Sequence, residues 1–219
     1  MNWSKKIFAN FQMSSAYRST YNINAFTTNL QYQANSSGNS PIRDLSSNFI
    51  PRYDIAQVSI IESFSPLLGI DMTFKGPSQF NVRVEYKKDR SLSLTYTGSQ
   101  LTDIRGSEIS IGSGYRINKL KLPFKVGGKT TILQNDLVLN IDFSYRKSLN
   151  VLRRVIEQSN LPSSGLNSYS IKFSADYIIN DRFSVRFFWD TNINQPVIAT
   201  SYPNSNTAFG FSIRFTLAQ

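Results

Sequence analysis

The chain has 219 residues, with 24 Lys and Arg against 14 Asp and Glu, which gives a formal net charge of +10. It contains no histidine and no cysteine, so catalysis by imidazole or thiol groups, disulfides and zinc sites built from these residues are excluded. Charged residues make up only 17%, below the roughly 25% of soluble domains, while aromatic residues reach 13% and Ser and Asn are abundant. This composition is typical of a β-sheet that is wet on one face and apolar on the other.

The first residues, Met1–Asn10, have the basic start of a signal peptide. Asn10 and Gln12 interrupt the apolar stretch that follows, and no small-residue cleavage site comes after it. Runs of consecutive apolar residues are also far shorter than the roughly 20 that a spanning helix needs. We therefore expect neither an export signal in this chain nor a transmembrane helix.

Residues 1–66 show the least regular pattern of the chain. One strand is predicted at Tyr17–Ile23, and Val58 with Ile60 forms part of another. The Ser- and Asn-rich stretch Ala34–Pro51 between them predicts a loop.

Residues 68–96 alternate apolar and polar side chains with period two, which is the pattern of strands with one apolar face. Strands are predicted at Leu68–Phe74, Phe80–Tyr86 and Leu92–Tyr96. Gly76-Pro77-Ser78 turns the chain after the first strand, and Lys88-Asp89-Arg90 leads into the third. Three consecutive strands of this kind predict an antiparallel meander.

The same alternation predicts five further strands and brings the total to about ten. They are Ile109–Ile117, Leu137–Tyr145, Tyr169–Tyr177, Phe183–Trp189 and Phe209–Leu217. One other stretch has helical spacing, at Leu149, Leu152, Val155 and Ile156. It fits either a short helix or a strand that extends above a membrane.

The connections between the later strands alternate in length. Asn180-Asp181 predicts a short turn, whereas Arg146–Asn167 and Thr191–Asn206 predict long loops. Outer-membrane barrels have short periplasmic turns and longer outside loops, so the alternation would place the Asn180 turn in the periplasm. The connection Asn118–Gln134 is longer than this rule predicts for a periplasmic turn.

The two faces of the predicted strands differ in chemistry. One face carries small and charged residues, as a water-filled lumen requires, and the other is apolar and often ends in Tyr or Trp, as an aromatic girdle does. We assign to the lumen Asp142, Arg186, Asp190 and Arg214. We assign to the lipid Leu139, Ile141, Phe143, Phe187 and Phe211. The predicted fold class is therefore all-β, a single antiparallel up-and-down segment of a transmembrane β-barrel wall over residues 1–219, located in the outer membrane.

Two other classes of protein share parts of this pattern. The inner face of a soluble β-sandwich binding module alternates in the same way, and such a module would need no detergent. Basic and aromatic residues together also describe nucleic-acid platforms. Here the Lys and Arg residues fall mainly in predicted turns and loops, which favours a solvated rim and no nucleic-acid partner.

No catalytic or cofactor site is predicted. Gly112-Ser113-Gly114 lies inside a predicted strand with no helix after it, which favours strand glycines over a phosphate-binding loop. Glu85 and Glu108 lie among Arg83, Arg105 and Arg116, which favours ion pairs in a lumen over acid–base catalysis. We therefore expect no enzyme activity, no metal ion and no cofactor.

The last predicted strand has the strongest apolar stripe in the chain. A glycine followed by alternating apolar residues that end in aromatics resembles the assembly signal of outer-membrane barrels. Its residues here are Gly210, Ile213, Phe215 and Leu217. We expect the barrel-assembly machinery to capture this strand by edge pairing.

Several longer stretches resemble one family of outer-membrane proteins. They are Ser99–Glu108, Gly112–Ile117, Lys121–Phe124, Asp142–Arg146, Arg186–Asp190 and Ser212–Phe215, with Ala16–Tyr21 upstream. They are similar to the C-terminal end of the SprA/Sov family, the giant outer-membrane translocon of the type 9 secretion and gliding-motility system. The similarity extends over nearly the whole chain.

The resemblance implies a wall segment of a very large pore through which folded cargo with a C-terminal secretion signal passes. It implies as partners membrane lipid, the remainder of the SprA/Sov barrel, a PorV-like shuttle lipoprotein and plug proteins. Family members are many times longer, so this chain would supply only the last strands, either as a fragment or beside another chain. The alternative is a self-contained small outer-membrane barrel, an adhesin or narrow porin, whose first and last strands pair.

Overall fold

The computed structural model describes residues 4–35, 37–38, 40–118, 121–126, 129–132, 136–180, 183–198 and 202–215. A single helical turn, α1 (Ser4–Ile7), precedes eleven strands. The strands are β1 (Phe8–Ser14), β2 (Tyr17–Thr28), β3 (Tyr53–Phe74), β4 (Asn81–Thr95), β5 (Gln100–Ile117), β6 (Lys121–Val126), β7 (Lys129–Ile132), β8 (Leu137–Arg154), β9 (Ser159–Asn180), β10 (Phe183–Pro196) and β11 (Asn204–Phe215).

Nine of these strands form one antiparallel sheet, which confirms the predicted all-β antiparallel fold. The order is β1-β3-β4-β5-β8-β9-β10-β11, and β2 pairs with β3 beside β1. Because β2 pairs with Tyr53–Phe64 and β1 with Gly69–Phe74, the two short strands together line one edge of the sheet. The other edge is β11, and no pairing within the described chain joins the two edges, so the sheet is open and not closed into a barrel.

The strands are longer than the pattern predicts. The strands predicted separately at Phe80–Tyr86 and Leu92–Tyr96 belong to one strand, β4. Likewise, Val58 and Ile60 lie in the same 22-residue strand β3 as Leu68–Phe74. The reason is that Lys88-Asp89-Arg90 contains no Gly or Pro and continues the alternation of faces. The chain therefore does not reverse direction there, and the strand continues.

One irregularity interrupts β3 near its middle. The register against β4 shifts between Phe64 and Leu68, around Pro66, whose ring nitrogen has no N–H to donate. Backbone hydrogen bonds from Ala16 to Pro66 (2.9 Å) and from Ser65 to Ala16 (3.1 Å) fill the gap between β1 and β2. The bulge therefore marks where one edge strand ends and the other begins.

The predicted long loop Arg146–Asn167 is wrong. β8 continues to Arg154, β9 begins at Ser159, and residues 155–158 form the turn. Leu149 and Leu152 are therefore in a strand that extends beyond the predicted span, and the helix alternative is wrong as well. Polar residues are as frequent in this segment as in a loop, but here they pair across two strands.

The predicted alternation of short and long connections is not observed. At one end of the sheet the connections are residues 29–52, 96–99, 155–158 and 197–203, and at the other end 75–80, 118–136 and 181–182. The long connection 118–136 contains a separate hairpin of β6 and β7, which accounts for its length. Of the predicted Asn180-Asp181 turn, Asp181 lies outside the described residues. The predicted loop Ala34–Pro51 is irregular where it is described, except for a β-bridge between Arg43 and Phe49.

The sheet has almost no conventional core. Ile50 is the one buried apolar side chain in the part of the chain that the structure describes, whereas large apolar side chains on most strands are exposed. No helix within the same residues combines the length and the apolar character that a membrane crossing requires.

Candidate functional site

The face of the sheet that carries Ile141, here called the apolar face, is covered by a regular band of uncharged side chains. Its lower row joins Ile117, Leu137, Tyr177, Val185 and Ile213 across five strands. Its upper row joins Leu68, Tyr86, Ile109, Tyr145, Tyr169 and Ile193 across six. These rows and the three between them form the apolar band, and from β3 to β11 it contains no charged residue among those described.

The height of the apolar band matches that of a membrane barrel. From Leu137 to Tyr145 the strand advances eight residues of about 3.4 Å each, and a strand tilt of about 40° leaves roughly 20 Å, close to the band about 25 Å tall of outer-membrane barrels. Aromatic contacts lie at both borders. Tyr145 and Tyr169 stack at 4.8 Å between ring centroids in the upper row, and Phe80 contacts Tyr115 at 6.2 Å near the lower one.

The five residues predicted to face lipid all lie in the apolar band. Leu139, Phe187 and Phe211 share one cross-strand row, and Ile141 and Phe143 lie in the next two rows of β8. Phe187 and Phe211 are in contact, with ring centroids 5.2 Å apart, and Phe211 is 75% exposed. The band is therefore a surface and not an interior.

The four residues predicted to face a lumen all lie on the opposite face, here called the polar face. Asp142, Lys172 and Asp190 form one cross-strand row, and Arg186 pairs with Asp176. Arg214 is on the same face of β11, opposite Ser184. Two open cavities of about 460 and 380 Å³ lie on this face, and both are lined by Asp142 and Lys172.

Ion pairs join the strands of the polar face. Glu85 accepts hydrogen bonds from Arg83 at 2.6 and 2.9 Å and lies 2.9 Å from the Lys87 ammonium group. Arg146 bridges Asp89 at 3.2 Å and Glu108 at 3.1 Å. The predicted pairing of Glu85 with Arg83 is thus observed, whereas Glu108 pairs with Arg146.

The glycines of β5 make room for side chains of neighbouring strands. A Cβ added at Gly112 would lie 2.6 Å from an Asp142 carboxylate oxygen, and one at Gly114 would lie 2.8 Å from the Asn81 side chain. These glycines therefore have a packing role in a strand, in agreement with the reading of Gly112-Ser113-Gly114 as strand glycines.

Three of the four predicted assembly-signal residues are described. Gly210 lies beneath the Phe188 ring, where an added Cβ would be 3.0 Å from the nearest ring carbon. Ile213 and Phe215 are on the apolar face, opposite Val185 and Phe183. Leu217 lies outside the described residues.

One cluster was missed by the sequence analysis. Asp103 is fully buried, and its carboxylate accepts hydrogen bonds from Arg90 at 3.1 Å, Arg105 at 2.6 Å and Arg153 at 2.9 Å. The Arg105 hydrogen bond is the main reason why the pKa of Asp103 is well below its usual range. The cluster lies beyond the upper row of the apolar band, on the same face. The signal for it was present, because alternation continued beyond the predicted strands Phe80–Tyr86 and Ile109–Ile117 places Arg90 and Arg105 on the apolar face.

Within the described ranges, no group of three or more Asp and Glu side chains is arranged to hold a metal ion. No protein-family model matches the chain, and no curated protein matches it.

Proposed function

We propose that this chain is a wall segment of an outer-membrane β-barrel. The observation that carries the proposal is the apolar band, a continuous uncharged surface on one side of the sheet with nothing packed against it among the described residues. A sheet in water must bury its apolar face against another layer, whereas a sheet in lipid leaves it exposed. A soluble β-sandwich would need a second sheet over Phe187, Phe209 and Phe211, and the described chain provides only the small β6–β7 hairpin beside the main one.

The open edges favour a barrel larger than this chain. In lipid, each unpaired backbone N–H or C=O costs several kcal/mol, so both β11 and the β1–β2 edge must pair with further strands. A barrel of about eight strands is filled by its own side chains, whereas a larger one leaves an aqueous channel. The small and charged side chains of the polar face suit the wall of such a channel.

The resemblance to the SprA/Sov family supports the more specific proposal of a protein-translocation pore. In this proposal the polar face, with Asp142, Arg186, Asp190 and Arg214, lines a passive channel for folded cargo that carries a C-terminal secretion signal. The remaining strands come from the rest of a SprA/Sov-type barrel. A PorV-like lipoprotein and plug proteins bind at the openings of this barrel, and the barrel-assembly machinery inserts it into the membrane. The wall positions no catalytic groups and binds no nucleic acid.

The experiment that tests this proposal removes the chain from the producing organism and follows secretion. We expect proteins with C-terminal secretion signals to accumulate in the periplasm, and restoration of the full-length gene to return them to the medium. As a matched pair, Arg186→Glu on the polar face should alter which cargo passes, whereas Lys75→Glu, in the connection between β3 and β4, should not. Normal secretion without the chain would contradict the translocation proposal, even if the protein is found in the outer membrane.

A further inference from the structure

Immediately beyond the upper row of the apolar band, the apolar face becomes strongly basic. Five cations lie there on three adjacent strands, and we call them the outward cationic cluster: Lys88, Arg90, Arg105, Lys147 and Arg153. The carboxylates on the same part of this face are Asp103, in the middle of the cluster, and Glu62, whose Oε1 accepts a hydrogen bond from Tyr17 at 3.0 Å. Five positive charges therefore face two negative ones.

The cluster lies at a defined height above the band. Lys88 and Lys147 flank Ser107 in the first row above Tyr86 and Tyr145, and Arg90 and Arg105 are in the second. With about 3.4 Å per residue and a tilt of about 40°, these rows lie roughly 5 and 10 Å above the tyrosines. The headgroup region of a bilayer is about 5–8 Å thick on each side, so the lysines lie within it and Arg90 and Arg105 lie just beyond its outer boundary. Arg153, opposite Leu101, lies two rows farther out.

The arginines of the cluster retain unused donors. Arg90 and Arg105 each donate from Nε and Nη2 to Asp103, and Arg153 donates from Nη2. The Nη1 groups of all three donate to no described residue, and the Nε of Arg153 is buried without a partner. The three side chains are 35–49% exposed, so their Nη1 groups can reach a ligand at the surface.

The ion network on the polar face has no such excess of cations. There, Arg83, Lys87 and Arg146 face the carboxylates of Asp71, Glu85, Asp89 and Glu108. The outward cationic cluster instead holds one buried carboxylate that fixes three guanidinium groups side by side. Guanidinium groups bind phosphate with paired N–H donors, and basic residues beside an apolar span attract anionic headgroups.

We propose that the outward cationic cluster binds the phosphate groups of anionic lipids in the leaflet at this end of the strands. The inference rests on the proposed membrane location, because the apolar band positions the acyl chains while the cluster binds the headgroup. Asp103 acts as a positioning residue that holds the three guanidinium groups around one carboxylate.

The test uses the full-length protein reconstituted into phosphatidylcholine vesicles with a small fraction of spin-labelled phosphatidylglycerol or spin-labelled phosphatidylcholine. Electron paramagnetic resonance measures how much of each labelled lipid is immobilised at the protein. We expect the wild type to prefer phosphatidylglycerol several-fold, and the double variant Arg105→Gln with Arg153→Gln to lose most of this preference. The matched control, Arg83→Gln with Arg146→Gln, removes the same charge from the polar face and should retain it.

Each outcome decides a separate point. A protein that does not insert into vesicles contradicts the proposed function, and this inference falls with it. Insertion without preference for phosphatidylglycerol, or a preference unchanged in the Arg105→Gln and Arg153→Gln variant, overturns the inference alone. Displacement of the labelled lipid by inorganic phosphate at the same concentration would show a phosphate site without lipid specificity and would also overturn it.

Discussion

At the residue scale, the face on which a side chain lies depends on its odd or even position within the strand. Ile141 on β8 pairs with Ser113 and Phe173 on the apolar face, while its neighbour Asn140 donates a hydrogen bond to Ser174 on the polar face. Adjacent residues of one strand therefore provide matched probes of the two environments.

Ile141 lies in the middle row of the apolar band and is 49% exposed. We predict that Ile141→Arg lowers the free energy of unfolding in lipid vesicles by about 2–4 kcal/mol, because an arginine at the membrane midplane must be desolvated. Asn140→Arg should cost less than about 1 kcal/mol, since position 140 is on the polar face beside Gly114, which has no side chain. Urea titration of the folded protein measures both values, and equal costs would contradict the assignment of the two faces.

Asp103 provides a second test at this scale. We predict that Asp103→Asn lowers the free energy of unfolding by about 1–3 kcal/mol, because three guanidinium groups lose the charge that they surround. The control is Asp89→Asn, whose half-exposed carboxylate pairs with Arg146 and should contribute less than about 1 kcal/mol. An equal or smaller effect at Asp103 would show that the buried carboxylate does not organise the cluster.

At the element scale, period-two alternation was enough to find the strands but not their ends. Four of the five strands predicted after residue 100 lie within β5, β8, β9 and β10, and the described part of the fifth, Phe209–Phe215, lies in β11. The prediction of a loop at Arg146–Asn167 is wrong. Local polarity cannot distinguish a loop from two strands that extend beyond an apolar band, because the apolar face of the extended part also carries charged residues, Lys147 and Arg153 in β8. The structure shows that the segment is two paired strands, from Arg146 opposite Ser168 to Arg154 opposite Ser159. Such pairing depends on two segments together, so the sequence of one segment does not reveal it.

The extended hairpin predicts unequal sensitivity to backbone changes. Leu149 lies in β8 between β5 and β9, so its N–H is needed by the ladder, and Leu149→Pro should lower the free energy of unfolding by about 1–3 kcal/mol. Gln158, in the turn, has a positive φ of 50°, and Gln158→Gly should be neutral or stabilising. Urea unfolding distinguishes the two, and a tolerated Leu149→Pro would contradict the strand at this position.

The β10–β11 pair carries the assembly prediction. Deleting Phe215–Gln219 from the full-length protein should prevent insertion and leave periplasmic aggregates or degradation products, because it removes the end of the aromatic stripe on β11. The control is a deletion of five residues within the connection 197–203, because Thr191–Pro196 and Asn204–Asn206 are parts of strands. This control should still insert. Outer-membrane fractionation compares the two, and normal levels of the truncated protein would show that this strand end is not an assembly signal.

At the scale of the whole molecule, the sheet has one face with an uncharged band, one charged face and two unpaired edges. The sequence predicted the chemistry of the faces, because residue parity determines it. It did not predict the Asp103 cluster, since three arginines on three strands become neighbours only through the register of β4, β5 and β8. The long strands place that cluster outside the apolar band, where charged side chains can remain hydrated.

The most direct test of the central claim is a cysteine scan along β8. Because the chain has no native cysteine, single substitutions from 139 to 144 can each carry one spin label. In vesicles, labels at 139, 141 and 143 should be accessible to oxygen dissolved in lipid and protected from a water-soluble nickel chelate, while labels at 140, 142 and 144 should show the reverse. Equal accessibility of all six positions to the water-soluble reagent, in a protein that stays monomeric without detergent, would contradict the membrane-wall account.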